Sequence, residues 1–179
     1  MTNEIFAVSS YNFNSNDALL LDTNIWLLIY GPQKPNDSKV ETYSKALARI
    51  LTARCKIYID VLIVSEFINT YARIKWDVLG KPHKYFKKFR KSQDFKPIAR
   101  DIAADTQQVL KHCLWIENGY ETLSISALIT EFAHGDSDFN DQIIASLCRE
   151  KKLMLVTDDG DFRNQNVLIV TANKRLLVP

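Results

Sequence analysis

Leu153 to Val156 is a run of four apolar residues, preceded by Lys151 and Lys152 and followed at once by Asp158, Asp159 and Asp161. That succession constrains the fold more than any other stretch. A short apolar run without alternation is what a central strand covered on both faces requires. In a parallel α/β sheet, ligands bind beyond the carboxyl ends of the strands, so acids placed just past such a strand face the usual site. The preceding stretch, Asn140 to Glu150, has helical spacing, with Ile144, Ala145 and Cys148 at i+3, i+4 and i+7 from Asp141. A carboxylate is thereby aimed inward. Like charges gathered at one strand tip repel one another unless a cation lies between them.

The same grammar recurs earlier in the chain. Ala18 to Leu21 is an apolar strand candidate, and Asp22 stands where it should end. Ile25, Trp26, Leu28 and Ile29 predict a helix that Asn24 can cap and that Gly31 and Pro32 stop. On its own, Asp22-Thr23-Asn24 also reads as ordinary capping chemistry. After a loop over Pro35 to Ser38, Lys39 to Arg54 is an amphipathic helix, Ile57 to Ile59 a strand, and Asp60 the cap of a helix over Val61 to Ile74. Glu66 lies in that helix, off the centre of its apolar stripe, and taken singly reads as a solvated glutamate. Pro97 at a first helical position opens a helix to about Cys113, and Leu114 to Ile116 is a further strand. Glu117 to Tyr120 then turns the chain into a helix whose Ile125, Leu128, Ile129 and Phe132 form one face, ended by Gly135. Asp136 to Asp138 leads into the acidic helix, and Val167 to Val170 supplies a last strand. Met1 to Asn16 is polar and reads as a loosely held leader.

Composition narrows the class. With 179 residues, 46% hydrophobic and 25% charged, the chain suits one sizeable core. No apolar run reaches the roughly 20 residues that span a bilayer, and no basic segment with an apolar core opens the chain, so a cytoplasmic protein without membrane association is expected. Cys55, Cys113 and Cys148 are odd in number and widely spaced, which predicts reduced thiols near the core. The net charge of +2 conceals an asymmetry: Arg73 to Lys96 holds nine basic and two acidic residues, and the rest of the chain is net acidic. Lys84, Lys87, Lys88, Arg90 and Lys91 are the candidate binding cations, for a basic segment on an acidic body points to a polyanion held near a cation-requiring site. Tyr85, Phe86 and Phe89, interleaved among them, read as a packing face in preference to base-stacking platforms.

Strands alternating with helices predict an α/β fold with an open parallel sheet. In it Asp22 and Asp159 fall at strand tips, and Asp141 and Glu66 fall in early turns of helices on the same side. Four carboxylates from four segments suit Mg²⁺ or Mn²⁺ and suit zinc poorly. His83, His112 and His134 have no ligand-like spacing. The motifs LLLDTNIW (Leu19 to Trp26), VSEF (Val64 to Phe67), NDQIIAS (Asn140 to Ser146) and VTDDGDF (Val156 to Phe162) resemble, in the same order, those of PIN-domain nucleases, in particular VapC-like toxin ribonucleases.

The resemblance implies a PIN-like central parallel sheet flanked by helices, in a single domain over 18–179; the leader over 1–17 and a basic helical insertion at about 75–96 depart from it, since they make the chain longer than a compact family member. The resemblance also implies a metal-dependent endoribonuclease with ligands Asp22, Glu66, Asp141 and Asp159. Asp138 and Asp161 match accessory positions, and Thr23, Asn24 and Thr157 match positions that support the ligands. An antitoxin partner and a homodimer are implied in the same way. Asp158 departs from the pattern, because it sets a second acid beside Asp159. Hydrolysis at one or two metal ions needs no histidine base. Aspartyl phosphotransferases need a second acid where Asn24 stands, and the EF-hand glycine and closing glutamate are missing around Asp158 to Asp161. The remaining alternative is a noncatalytic PIN-like module that binds RNA or protein without cutting.

Overall fold

A computed structural model describes residues 4–32, 37–116, 121, 123–135 and 138–178. Pro35, Asn36, Asp136 and the turn expected at Glu117 to Tyr120 lie outside the described residues. Six strands form one sheet: β1 (Ile5–Ala7), β2 (Ala18–Leu21), β3 (Lys56–Ile59), β4 (Leu114–Trp115), β5 (Met154–Val156) and β6 (Ile169–Thr171). Their order is β1-β6-β5-β2-β3-β4, and every described pairing is parallel. From β2 the chain builds outward through β3 to β4, and from β5 it builds the opposite way through β6. The order therefore reverses between β2 and β5. That switch point, at the carboxyl ends of the two central strands, is where open α/β sheets form their crevice.

Apolar side chains explain why these strands are central. Leu19, Leu20, Leu21, Leu155 and Val156 are all buried to within 1% exposure, which demands helices on both faces. Helices α1 (Thr23–Tyr30), α2 (Ser38–Thr52), α3 (Val61–Val78), α4 (Phe86–Phe89), α5 (Phe95–Leu110), α6 (Ile125–Phe132), α7 (Phe139–Lys151) and α8 (Lys174–Leu177) complete the described elements. Trp26, Tyr43, Ile50, Ile63 and Phe67 pack from α1, α2 and α3 into the main cluster, and Ile144, Ala145 and Cys148 do so from α7. Among the described residues no helix is long and apolar enough to cross a membrane. Cys55, Cys113 and Cys148 are free thiols, as the odd count predicts.

Several expectations need correction. The stretch read as a loose leader contains β1, which pairs with β6 in the register Ile5 to Ile169, Phe6 to Val170 and Ala7 to Thr171. Val8 and Phe13 are buried behind it, and the Arg49 guanidinium donates to the carbonyls of Val8, Ser9 and Tyr11. Polarity hid this segment, because edge strands are short and need few apolar residues. Val8→Ala is accordingly expected to lower the unfolding free energy by about 2 kcal/mol in urea denaturation. A loose leader would give no change.

The basic segment forms less helix than expected over 75–96. α3 runs on to Val78, then Gly80 and Lys81 take positive φ (73° and 56°), and only the single turn of α4 follows before α5. Left-handed backbone ahead of Pro82 cannot continue a helix. Pro97 stands third in α5, where its missing N–H has no intrahelical partner to lose. In α6 only Leu128 of the expected apolar face is buried, against Leu123 and Ile143, while Ile125, Ile129 and Phe132 are about half exposed.

Candidate active site

The register of the two central strands sets the site. Leu21 lies opposite Val156, so Asp22 and Thr157 emerge side by side, and the Asp22 amide donates to the Val156 carbonyl at 3.0 Å. Asp22 is the N-cap residue of α1, yet its side chain makes no capping bond. It turns instead to Thr157, whose hydroxyl donates to Asp22 Oδ2 at 2.7 Å. Asn24, expected to cap α1, lies inside the helix and donates from Nδ2 to Asp22 Oδ2 and to Thr157 Oγ1. Its Oδ1 accepts from the Asp158 amide at 3.2 Å. The Thr157 hydroxyl also accepts from the Asp159 amide at 3.0 Å, which uses its one donor and both acceptor positions. A threonine and an asparagine thus lock the tip of β2 to the turn that carries Asp159.

Glu66 projects from the second turn of α3 at an exposed position, and Thr23 Oγ1 donates to its Oε2 at 3.1 Å. Asp141 lies in the first turn of α7 and Asp138 caps that helix, accepting from the Asn140 amide at 2.8 Å. Asp159 Oδ1 accepts from the Asp161 amide at 3.0 Å.

These carboxylates feel one another. Burial pushes Asp22 up from 3.8 to about 6, against the hydrogen bond from Thr157, and the charges of Glu66 and Asp159 push the same way. Burial is also the first cause for Asp141, which rises to about 7, followed by the charges of Asp22, Asp159, Asp138 and Glu66. Five of the acids singled out in the sequence therefore share one electrostatic neighbourhood. Asp161 is exposed and is not among the charges that raise Asp22 or Asp141.

Asp158 is held elsewhere. It forms an ion pair with Lys39 of α2, and its Oδ1 accepts from the Tyr43 hydroxyl at 3.0 Å. Asn173 Nδ2 donates to its carbonyl at 2.7 Å, and the Tyr43 oxygen also accepts from the Ala172 amide at 2.8 Å. Lys39, Tyr43 and Asn173 escaped the sequence reading. Tyr43 lies inside the helix expected from Lys39 to Arg54, and more than a hundred residues separate it from Asp158.

The donor set is oxygen only, with no histidine or thiol among the groups that raise Asp22 and Asp141, which is the chemistry of Mg²⁺ or Mn²⁺ sites. Buried and mutually repelling carboxylates are stabilised by a positive charge between them. Among the described residues, no group of three or more His, Cys, Asp or Glu side chains is disposed to hold a metal ion as it stands. The acids are coupled in charge without closing a coordination shell. His83 and His112 are engaged with Asp94 and the Tyr30 hydroxyl.

The family model for the PIN domain matches residues 19–168. The chain belongs to the PIN domain family. This PIN domain also shares its fold with a chain of the crystal structure of VapBC2 from Rickettsia felis bound to a DNA fragment from their promoter. The likeness has a TM-score of 0.56 at 18% identity and covers 86% of this chain and 98% of that one. Among curated proteins none matches by sequence.

Where α3 contacts α4, the exposed cations of the PIN domain are anchored by packing. Phe89 is fully buried against Phe86 and Phe95, and Arg73 and Arg90 lie over the Phe86 ring at 4.8 and 5.8 Å. Phe86 and Phe89 thus form the expected packing face. Tyr85 does not: it is 54% exposed, with Lys84 and Lys88 at 5.3 and 5.9 Å from its ring centre. Lys84, Lys87, Lys88, Arg90 and Lys91 are all exposed.

Proposed function

We propose that this PIN domain is a divalent-metal-dependent endoribonuclease that hydrolyses phosphodiester bonds in RNA. The observation that carries the reading is that Asp22 and Asp159 are tied to one Thr157 hydroxyl and are coupled in charge to Asp141 and Glu66, with Asp22 and Asp141 held well above their ordinary range by burial and by this repulsion. Asp22, Asp141 and Asp159 would hold Mg²⁺ or Mn²⁺, with Glu66 at the exposed rim as a fourth ligand or as the group that orients the attacking water. Such an ion supplies a water of lowered pKa and neutralises charge on the phosphate oxygens. The protein fixes the rest. Thr157 and Asn24 hold the Asp22 oxygen, Thr23 holds Glu66, and Asp138 adds negative charge beside Asp141.

The basic segment lies about 15 Å along α3 from Glu66, taking Glu66 to Trp76 at 1.5 Å per residue. Lys84, Lys87, Lys88, Arg90 and Lys91 would hold RNA phosphates there, so affinity is expected to fall steeply with salt. The family and the VapBC2 likeness support a further step, that the protein is the toxin of a toxin-antitoxin pair in the cytoplasm, with an antitoxin partner and a homodimeric state.

The test is cleavage of structured and single-stranded RNAs with Mg²⁺, Mn²⁺ or EDTA. Metal-dependent cutting supports the nuclease. RNA binding without cutting under any metal would assign the chain to the noncatalytic class. Thr157→Val is expected to lower cleavage about 10- to 100-fold, because it removes the hydroxyl that orients Asp22 and receives the Asp159 amide. Unchanged rates would remove Thr157 from the machinery.

A further inference from the structure

Asp158 and Asp159 are adjacent acids in one turn, yet only Asp159 is among the charges that raise Asp22 and Asp141. Every polar group of Asp158 is engaged elsewhere. Its amide donates to Asn24 Oδ1 at 3.2 Å, its carbonyl accepts from Asn173 Nδ2 at 2.7 Å, Oδ1 accepts from the Tyr43 hydroxyl at 3.0 Å, and Oδ2 pairs with Lys39. Of the two side chains on the carboxylate, Lys39 is 54% exposed, so solvent screens its pairing. Tyr43 is the firmer hold. Its ring is fully buried in the main core cluster, and its oxygen also accepts from the Ala172 amide, just past β6, at 2.8 Å. Burial pushes the hydroxyl above its ordinary range, which keeps it a donor.

We infer that Tyr43 is a positioning residue for Asp159: by tying Asp158 to the end of β6, it fixes the turn so that Asp159, and not its neighbour, is the acid offered to the metal. The inference rests on the nuclease reading and adds to it a residue outside the ligand set. The turn needs such a hold because it carries two carboxylates in succession, and a rotation of the backbone between them would exchange one for the other. Asp159 is itself tied to Thr157, whose hydroxyl accepts from the Asp159 amide and whose carbonyl lies 3.3 Å from the Tyr43 oxygen. Tyr43 thus reaches the turn at two consecutive residues, Thr157 and Asp158. Without the hydroxyl, the Asp158 carboxylate is left to an exposed lysine and the Ala172 amide loses its acceptor, while the ring still fills its place in the core. Tyr43→Phe changes no charge, so its effect on metal binding reports geometry.

The test titrates Mn²⁺ into the full chain without RNA and follows the EPR signal of the free aqueous ion, with urea unfolding as the control for each variant. Tyr43→Phe is expected to bind Mn²⁺ about tenfold more weakly while keeping a cooperative unfolding transition. Asp159→Asn is expected to lose about a hundredfold or more, and Asp158→Asn about threefold or less, because its amide oxygen still accepts from Tyr43. The ranking of the two asparagine variants tests the exchange without touching the core. Tyr43→Phe with lowered stability and wild-type Mn²⁺ affinity would make Tyr43 a packing residue and overturn the inference. So would a loss in Asp158→Asn as large as that in Asp159→Asn, which would make Asp158 a ligand. The two readings fail separately. Mn²⁺ affinity indifferent to Tyr43→Phe in a protein that cuts RNA sinks only the positioning role, and the expected ranking in a protein that cuts no RNA sinks only the nuclease. Wild type that binds no Mn²⁺ overturns both.

Discussion

Asp22→Asn is expected to lower metal-dependent RNA cleavage by about a thousandfold or more while the protein remains folded. Asp22 is 5% exposed, stands at the switch point of the sheet, and is the one carboxylate gripped by both Thr157 and Asn24. An asparagine oxygen can accept both of those hydrogen bonds, so the substitution removes charge and leaves the local framework. The loss should therefore appear in the rate, and circular dichroism and the urea midpoint should show an intact fold. Folded Asp22→Asn protein that still cuts at a tenth of the normal rate would take Asp22 out of the metal set.

The second large effect concerns stability and pH. Asp22 and Asp141 have folded values of about 6 and about 7, both raised above the ordinary 3.8. A carboxyl raised on folding favours the folded state while protonated. Its contribution is present below about pH 4 and is lost as pH rises through 6 to 7. Metal-free protein should thus lose stability over that interval, on the order of 3 kcal/mol from Asp22 alone. Asp141 adds less than its displacement implies, since solvent reaches part of it. The acids titrate as a set, so the drop belongs to the crevice and not to one residue. Urea unfolding in EDTA between pH 4.5 and 8 would measure it, with Asp141→Asn as the comparison. The variant is expected to show a flatter profile and higher stability at pH 8, and millimolar Mg²⁺ is expected to restore wild-type protein there. Wild type that gains stability relative to Asp141→Asn as pH rises would contradict the repulsion. Charge stored in this way is a cost in stability that an active site carries for its chemistry.

Much of this was legible in local spacing. An apolar run of four residues after a helix-spaced stretch gave β5 and α7, and the acid after each central strand gave Asp22 and Asp159. Asp141 was recognisable because i+3, i+4 and i+7 neighbours fix which way a helical side chain points. Other features had no local signature. β1 exists because β6 offers an open edge, and hydrogen bonds to a neighbouring strand ask little of the side chains. The one-turn α4 follows from positive φ at Gly80 and Lys81, which left less helix than was expected over 75–96.

Asp158 marks the boundary most clearly. Its sequence position made it the equal of Asp159, and nothing nearby in the chain distinguished them. The structure separates them because α2 brings Lys39 and Tyr43 against one and the crevice receives the other. The sequence by itself determined the alternation of strands and helices, the acids at the strand tips and the family, since those depend on spacing over a few residues. Only the tertiary structure decided which acids meet and which one is neutralised, because those depend on side chains brought together from more than a hundred residues apart.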